Sequence, residues 1–333
     1  MFGKFMNNYF YGKSGKGDYT KEDLPSTRMQ LFREMLRARF SGLVRLNLIY
    51  MLVWIPTMAV IAYHVMVFYS VMSGLVDLQA QVDAGTLTAA AFATQQALFS
   101  DAVKAIILRC LLYLIPCLAI TGPFTAGLSL ITRNWARDEH AFIWSDFKDA
   151  VRDNWKQALA TSAITGLIPM VVYVCWMFYG EFASTNALFL IPQVLTLTLG
   201  ALWMMSLLYT YPLIVTYQLK YRDVLRNSIL LTIGRLPGTL GFKLLSVLPV
   251  VIAAVVSVLT PYLQWAVLIC LLYYAALGFA LSRFVGASFT NAVFDKYINV
   301  KIEGAQVNRG LYVEEDDDED GEDADGSNPP TEP

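Results

Sequence analysis

The fold is decided by one long apolar run, Leu43–Met72, which reads LVRLNLIYMLVWIPTMAVIAYHVMVFYSVM and holds a single charged residue, Arg45. A helix of about 20 apolar residues is enough to cross the hydrocarbon core of a bilayer. The run is too long for the apolar core of a signal peptide, and it is the first such run in the chain. It therefore predicts a transmembrane helix.

The composition of the whole chain agrees with a membrane protein. Of its 333 residues, 56% are hydrophobic and 16% are charged, whereas soluble domains carry about 25% charged residues. We predict an all-α fold, a polytopic bundle of six transmembrane helices, with the fifth and sixth joined as a tight hairpin at Pro261. The predicted spans are Leu43–Met72, Ala105–Ile131, Leu159–Tyr179, Ala187–Tyr217, Gly241–Thr260 and Leu263–Leu281.

The distribution of Lys and Arg predicts the orientation. In the six-span arrangement, 23 of the 25 basic residues fall on the side that also holds both chain ends, and only Lys104 and Arg109 fall on the other. Because Lys and Arg concentrate in cytoplasmic loops, we expect both termini in the cytoplasm. The expected location is the bacterial cell membrane, as a multi-pass protein.

Three regions are predicted along the chain. Residues 1–27 are rich in Gly, Lys, Asn and Ser and are expected to form a flexible basic segment. Residues 28–300 form the six-span domain, entered by a basic amphipathic helix that we expect at the inner headgroup surface. Residues 301–333 are predicted to be an acidic disordered tail, because ten of the twelve residues from Glu314 to Asp325 are acidic and repel one another.

Proline and small residues mark candidate positions for helix kinks and close packing. A proline removes one backbone donor and bends its helix unless a neighbour binds the freed carbonyl group. Small residues at four-residue intervals let two helices approach closely, and we favour packing within the chain over dimerisation. The candidates are Gly122, Pro123 and Gly127 in the second span, and Gly278, Ser282 and Gly286 near the last.

Two segments outside the spans are candidates for docking a partner. After the second span, Phe147, Val151 and Trp155 recur at four-residue spacing and predict one apolar face of a helix. After the fourth span, Arg222 and Arg226 belong to a short basic and apolar helix. Each helix either docks a cytoplasmic partner or rests on the inner leaflet, and the sequence leaves both alternatives open.

The sequence offers little chemistry for catalysis. It holds no metal-spaced His and Cys cluster, no paired carboxylates and no nucleophile with its base, and the six spans contain no Asp or Glu. Arg109 begins the second span and is expected to extend to the outer headgroups. We therefore expect no enzyme activity, no catalytic or metal site, no cofactor and no nucleic-acid partner.

One stretch resembles a known family. Gly122–Leu128 (GPFTAGL), followed by His140–Lys148 (HAFIWSDFK) and by Asn154–Gln157 (NWKQ), is similar to the signature of the YesL-like family of uncharacterised bacterial membrane proteins. Members of that family are often encoded beside carbohydrate ABC importers. The resemblance implies an accessory role in sugar uptake, with membrane or cytoplasmic components of an ABC transporter as partners.

Two functions follow as hypotheses. The first is a non-enzymatic membrane protein, accessory or regulatory to a transport complex, which has the lipid bilayer and a transporter component as partners. The alternative is a stand-alone transporter or channel for a neutral solute, because the predicted bundle is kinked and nearly uncharged within the membrane. The sequence leaves the solute, the partner and the oligomeric state open.

Overall fold

A computed structural model describes residues 24–259 and 262–312, and every regular element within these ranges is helical. Six helices are long and apolar enough to cross a membrane, which confirms the all-α, six-span prediction. The predicted flexible segment before Leu24, the turn at Pro261 and the acidic residues from 313 onward lie outside the described residues. The orientation of the termini stays a prediction.

The described residues contain eight α-helices, which we number in chain order. A 3₁₀ turn at Ala187–Phe189 precedes α4, a π-helical turn at Tyr274–Gly278 joins α7 to α8, and a second 3₁₀ turn follows α8 at Asn299–Lys301. The helices are α1 (Arg28–Asp83), α2 (Ala89–Ala136), α3 (Ser145–Ala183), α4 (Leu190–Thr216), α5 (Tyr221–Gly234), α6 (Leu236–Leu259), α7 (Leu263–Tyr273) and α8 (Phe279–Tyr297).

The predicted entry helix is the beginning of α1. Thr27 caps α1 by accepting a hydrogen bond from the Gln30 N–H, and the Gln30 side chain accepts one from the Thr27 N–H in return. At 1.5 Å per residue, the 56 residues of α1 measure about 84 Å and extend well past a bilayer. Leu31 and Met35 are buried in the same apolar cluster as Trp135 of α2. The apolar face expected at the headgroups therefore packs against the protein.

The closest helix contact lies between α2 and α3, at the predicted packing residues. A Cβ added at Gly122 would overlap the Ser162 hydroxyl and the Ala158 carbonyl oxygen. Pro123 lacks the N–H that would bind the Ala119 carbonyl, and the Ser162 hydroxyl donates to that carbonyl oxygen instead. One glycine and one serine thus allow a proline inside a packed helix.

The other predicted packing residues have different neighbours. A Cβ at Gly127 would lie 2.8 Å from the Phe147 ring, and one at Gly286 would lie 3.0 Å from Leu208 of α4. Gly278 faces Tyr273 and Tyr274, which precede it in the same chain segment. Ser282 lines a cavity. Of the two glycines near the last span, Gly286 therefore has a side chain of another helix as its nearest neighbour, whereas Gly278 has tyrosines of its own segment.

A buried asparagine holds the π-helical turn. The Asn47 side chain is fully buried in α1 and donates to the carbonyl oxygens of Tyr274 and Ala275, at 2.9 and 2.8 Å. Its side-chain oxygen accepts a hydrogen bond from the Ala280 N–H at 3.0 Å. A π-helical turn disrupts the regular i→i−4 bonds of a helix, and Asn47 supplies three hydrogen bonds at that place.

The chain after α8 folds back across one end of the bundle. We call this end, which holds the start of α1, the α2–α3 loop, α5 and the end of α8, the basic end, and we call residues 298–312 the strap. Arg137 donates to the Gln306 carbonyl oxygen at 2.8 Å, and Leu311 packs against the apolar core. The predicted tail boundary at residue 301 therefore falls too early, because residues 301–312 are bound to the bundle.

Candidate functional site

A buried carboxylate organises the basic end. The Asp295 side chain is 3% exposed and lies 2.6 Å from Arg28 and 3.1 Å from Arg137. The side-chain amide of Asn299 donates to the same carboxylate at 2.6 Å. Arg137 also pairs with Glu139 at 3.0 Å. A buried charge is tolerated when its partners and hydrogen bonds are complete, so this cluster ties α1, the α2–α3 loop and α8 together.

The α2–α3 loop and the first part of α3 expose three aromatic side chains. Phe142 and Trp144 of the loop are 66% and 69% exposed, and Trp155, nearly three turns into α3, is 47% exposed. The loop is held at both ends: Glu139 is bound by Arg133 and Arg137, and the Asp146 carboxylate accepts a hydrogen bond from the Phe142 N–H. We call Phe142, Trp144 and Trp155 the aromatic patch.

The three predicted docking residues of α3 differ in how exposed they are. Phe147 is 4% exposed, lies against Gly127, and its ring is 6.4 Å from that of Phe124. Val151 is partly buried against the same core cluster, whereas Trp155 is exposed. The four-residue stripe therefore faces the interior at Phe147, and only its last member is accessible to a partner.

Arg222 and Arg226 are exposed on α5, which is anchored to α3. The Gln157 side chain donates to the Leu219 carbonyl oxygen at 3.0 Å, and the Thr161 hydroxyl lies 3.3 Å from the Tyr221 hydroxyl. Burial raises the pKa of Tyr221, so its phenol stays protonated at physiological pH. These contacts fix the position of the two arginines beside α3.

A second candidate site is a cavity inside the membrane-spanning part of the bundle. Its volume is about 780 Å³, within the range of ligand-binding pockets. The α6–α7 hairpin forms one wall, and residues of α2, α4 and α8 form the other. Most lining side chains are apolar, but Lys243 of α6 and Arg283 of α8 also line it.

Neither cavity cation has a carboxylate partner among the described residues. The Arg283 guanidinium stacks on the Tyr211 ring at 5.1 Å and lies 3.5 Å from the Leu207 carbonyl oxygen. Lys243 and Arg283 place two like charges in the wall of one cavity, where they repel each other. An anion in the cavity would remove that repulsion, since charges inside a membrane protein are stabilised by pairing.

Sequence reasoning missed both centres. It grouped Lys243 with a basic loop, although seven residues of α6 precede it and it lies inside the predicted span Gly241–Thr260. It also passed over Asp295, an acidic residue between Phe294 and Lys296 beyond the predicted end of the last span. An ionisable residue within or just after an apolar span was the available signal in both cases.

Within the described residues, no three His, Cys, Asp or Glu side chains are close enough together to hold a metal ion. The four cysteines are unpaired and half-buried. Among the described residues, the ionic cluster and the cavity both present charged side chains that can bind a charged ligand.

Comparisons with known proteins give one family match. Residues 86–176, roughly a quarter of the chain, match the model of a family described as "Protein of unknown function, DUF624". The matched segment covers α2 and most of α3, including the Gly122–Ser162 contact and the α2–α3 loop. No curated protein and no solved structure matches the chain. The match supports an uncharacterised family of helical, membrane-like proteins.

Proposed function

We propose that the protein is a non-enzymatic component of the bacterial cell membrane that docks, through the aromatic patch of its basic end, onto a transport complex and assists or regulates it. The resemblance to the YesL-like family supports a carbohydrate ABC importer as that complex. The proposed partner surface belongs to the permease or the ATPase of such an importer. The basic end is cytoplasmic in this proposal, as the Lys and Arg distribution predicts.

The observation that carries the proposal is the exposure of Phe142 and Trp144 on a loop that hydrogen bonds hold in place, and of Trp155 on the helix that follows it. Aromatic side chains supply much of the binding energy of protein interfaces, especially when the backbone that presents them needs no reordering. Here the bonds from Glu139 to Arg133 and Arg137 supply that preorganisation. Arg222 and Arg226 add exposed positive charge on the neighbouring α5.

The competing role of the aromatic patch is to lie in the lipid headgroups, where Trp is common. A double variant tests the two roles: Trp144→Ala with Trp155→Ala. Its capture of transport components is measured by mild-detergent pull-down from native membranes and mass spectrometry. We expect recovery of a carbohydrate permease or its ATPase with the natural protein, and at least a tenfold loss with the variant.

The matched control is Trp176→Ala, which removes an exposed tryptophan from the C-terminal part of α3, away from the basic end. It should leave capture unchanged. Equal membrane yield of all three proteins shows that insertion is intact. Capture that survives the double variant, or a natural protein that recovers no transport component, contradicts the proposal.

The alternative of a neutral-solute pathway has the cavity as its supporting observation. Two cations in its wall favour an anionic over a neutral occupant, so we rank this function second. Flux of a panel of neutral sugars into reconstituted proteoliposomes tests it. Flux above that of empty liposomes would favour this alternative over the docking function.

A further inference from the structure

We propose that the cavity between the α6–α7 hairpin and α8 binds one anionic lipid, with its phosphate group between Lys243 and Arg283 and an acyl chain along the apolar wall of α6. This site is separate from the aromatic patch and goes beyond the proposed docking function. It gives the two cavity cations the counter-charge that the described residues of the protein do not supply.

Charge is the first argument. Lys243 and Arg283 line the same cavity from opposite walls, and neither has a carboxylate within ion-pair distance among the described residues. Tyr211 and the Leu207 carbonyl oxygen orient Arg283 without neutralising it. Two unpaired cations beside apolar walls are costly, and a phosphate that accepts hydrogen bonds from both removes much of that cost.

The shape of the cavity is the second argument. Along α6, the lining residues run from Lys243 to Val256, which is about 20 Å of helix. One leaflet of a bilayer core is about 15 Å thick. The apolar wall is thus long enough for an acyl chain that starts at the cations. A soluble anion would leave most of that wall empty.

A buried hydroxyl is the third argument. Ser129 of α2 lines the cavity and is 2% exposed, and its hydroxyl has no hydrogen-bond partner within the described part of the chain. A buried hydroxyl without a partner calls for an explanation, and an oxygen of a group bound in the cavity would supply the missing hydrogen bond. The ester and phosphate oxygens of a lipid are suitable acceptors.

The experiment measures lipid retained by the purified full-length protein. The protein is exchanged into micelles that contain phosphatidylglycerol and phosphatidylcholine with identical acyl chains in equal amounts, washed, and analysed by native mass spectrometry. We expect about one retained phosphatidylglycerol per chain and little phosphatidylcholine. The double variant Lys243→Gln with Arg283→Gln should retain at least tenfold less, because each charge-assisted bond contributes 1.5–3 kcal/mol in round terms, about tenfold or more.

The matched control is Lys220→Gln with Arg222→Gln, which removes two exposed cations near the start of α5 and should retain the lipid fully. A third variant, Ala253→Phe, keeps both cations and fills the apolar wall. It should lose phosphatidylglycerol while the protein remains monodisperse, and Lys243→Arg should keep the lipid.

Three results would overturn the proposal. Equal retention of the two lipids would show that the headgroup charge is not recognised. If the control variant Lys220→Gln with Arg222→Gln loses as much phosphatidylglycerol as the cavity variant, the lipid binds at the surface of the basic end and not in the cavity. Displacement of the lipid by millimolar glycerol phosphate, with Ala253→Phe unaffected, would show that the cavity takes a soluble phosphate.

Discussion

The Ser162 hydroxyl lies 2.6 Å from the carbonyl oxygen of Ala119, across the contact between α3 and α2. Ala119 is four residues before Pro123, so its carbonyl group has no N–H partner in its own helix. Ser162 of α3 thus donates a hydrogen bond to the carbonyl group of α2 that lost its usual donor at Pro123. This relationship makes the fit between α2 and α3 measurable through single substitutions.

Replacing Ser162 with alanine should destabilise the protein by about 1–3 kcal/mol, since it leaves the half-buried Ala119 carbonyl without the Ser162 donor. Pro123→Ala restores an N–H to that carbonyl, so the loss caused by Ser162→Ala should shrink in the Pro123→Ala background. The coupling between the two substitutions is measured by thermal unfolding in detergent, followed by fluorescence-detected gel filtration. The natural protein, the two single variants and the double variant are compared. Additive losses would show that the hydroxyl does not serve the proline.

Gly122→Ala should lower stability by about 1–3 kcal/mol, because the added methyl group overlaps Ser162 and the Ala158 carbonyl and forces the two helices apart. Gly241→Ala is the matched control. It lies in α6, where a Cβ meets nothing within 4 Å, so it should be neutral or slightly stabilising. The same unfolding assay compares them. Equal melting temperatures would mean that α2 and α3 are less closely packed than described.

Asp295→Asn should be the most damaging single change at the basic end. It leaves Arg28 and Arg137 without their shared carboxylate, and breaking a buried ion pair typically costs about 3–5 kcal/mol. Asp149→Asn removes an exposed carboxylate of α3 and should leave stability unchanged. Limited proteolysis of the strap provides a second measurement, and only the Asp295 variant should be cut faster. A strap equally resistant in both variants would count against the ionic cluster as its anchor.

Asn47→Leu keeps the branched shape and the number of side-chain heavy atoms but removes three hydrogen bonds to the π-helical turn, so we expect a loss of about 1–3 kcal/mol. Asn154→Leu is its control, since the Asn154 side chain donates only to Ala150 in its own helix. Hydrogen exchange of the segment 274–280, read by mass spectrometry, should rise in the Asn47 variant alone. Unchanged exchange would show that the π-helical turn is stable without the hydrogen bonds from Asn47.

The six spans could be predicted because the thickness of the bilayer sets the length of apolar sequence that a spanning helix needs, and that length can be read from each segment alone. The inward position of Phe147 could not, because four-residue spacing places Phe147 and Trp155 on one face without saying which neighbour covers it. Phe147 packs against Gly127 of α2, whereas Trp155, about two turns further along α3, is exposed.

The ionic cluster and the cavity depend on contacts between distant parts of the chain. Asp295 pairs with Arg28 across 267 positions, and Lys243 and Arg283 line one cavity because the α6–α7 hairpin lies beside α8. Counting charges along the sequence assigns these cations to one side of the membrane but identifies no partner for them. The tertiary structure is needed to distinguish the cations that pair with Asp295 from Lys243 and Arg283, which have no carboxylate partner among the described residues.

The strap ends beside the residues that precede α1, because the Tyr312 N–H donates to the Pro25 carbonyl oxygen at 3.0 Å. The acidic residues 314–325 follow within two positions, so any molecule that binds them is tethered next to the basic end. Tethering of this kind raises the effective concentration of a bound partner to the millimolar range. A transport component that contacts both the acidic residues and the aromatic patch would therefore bind far more tightly than either contact alone allows.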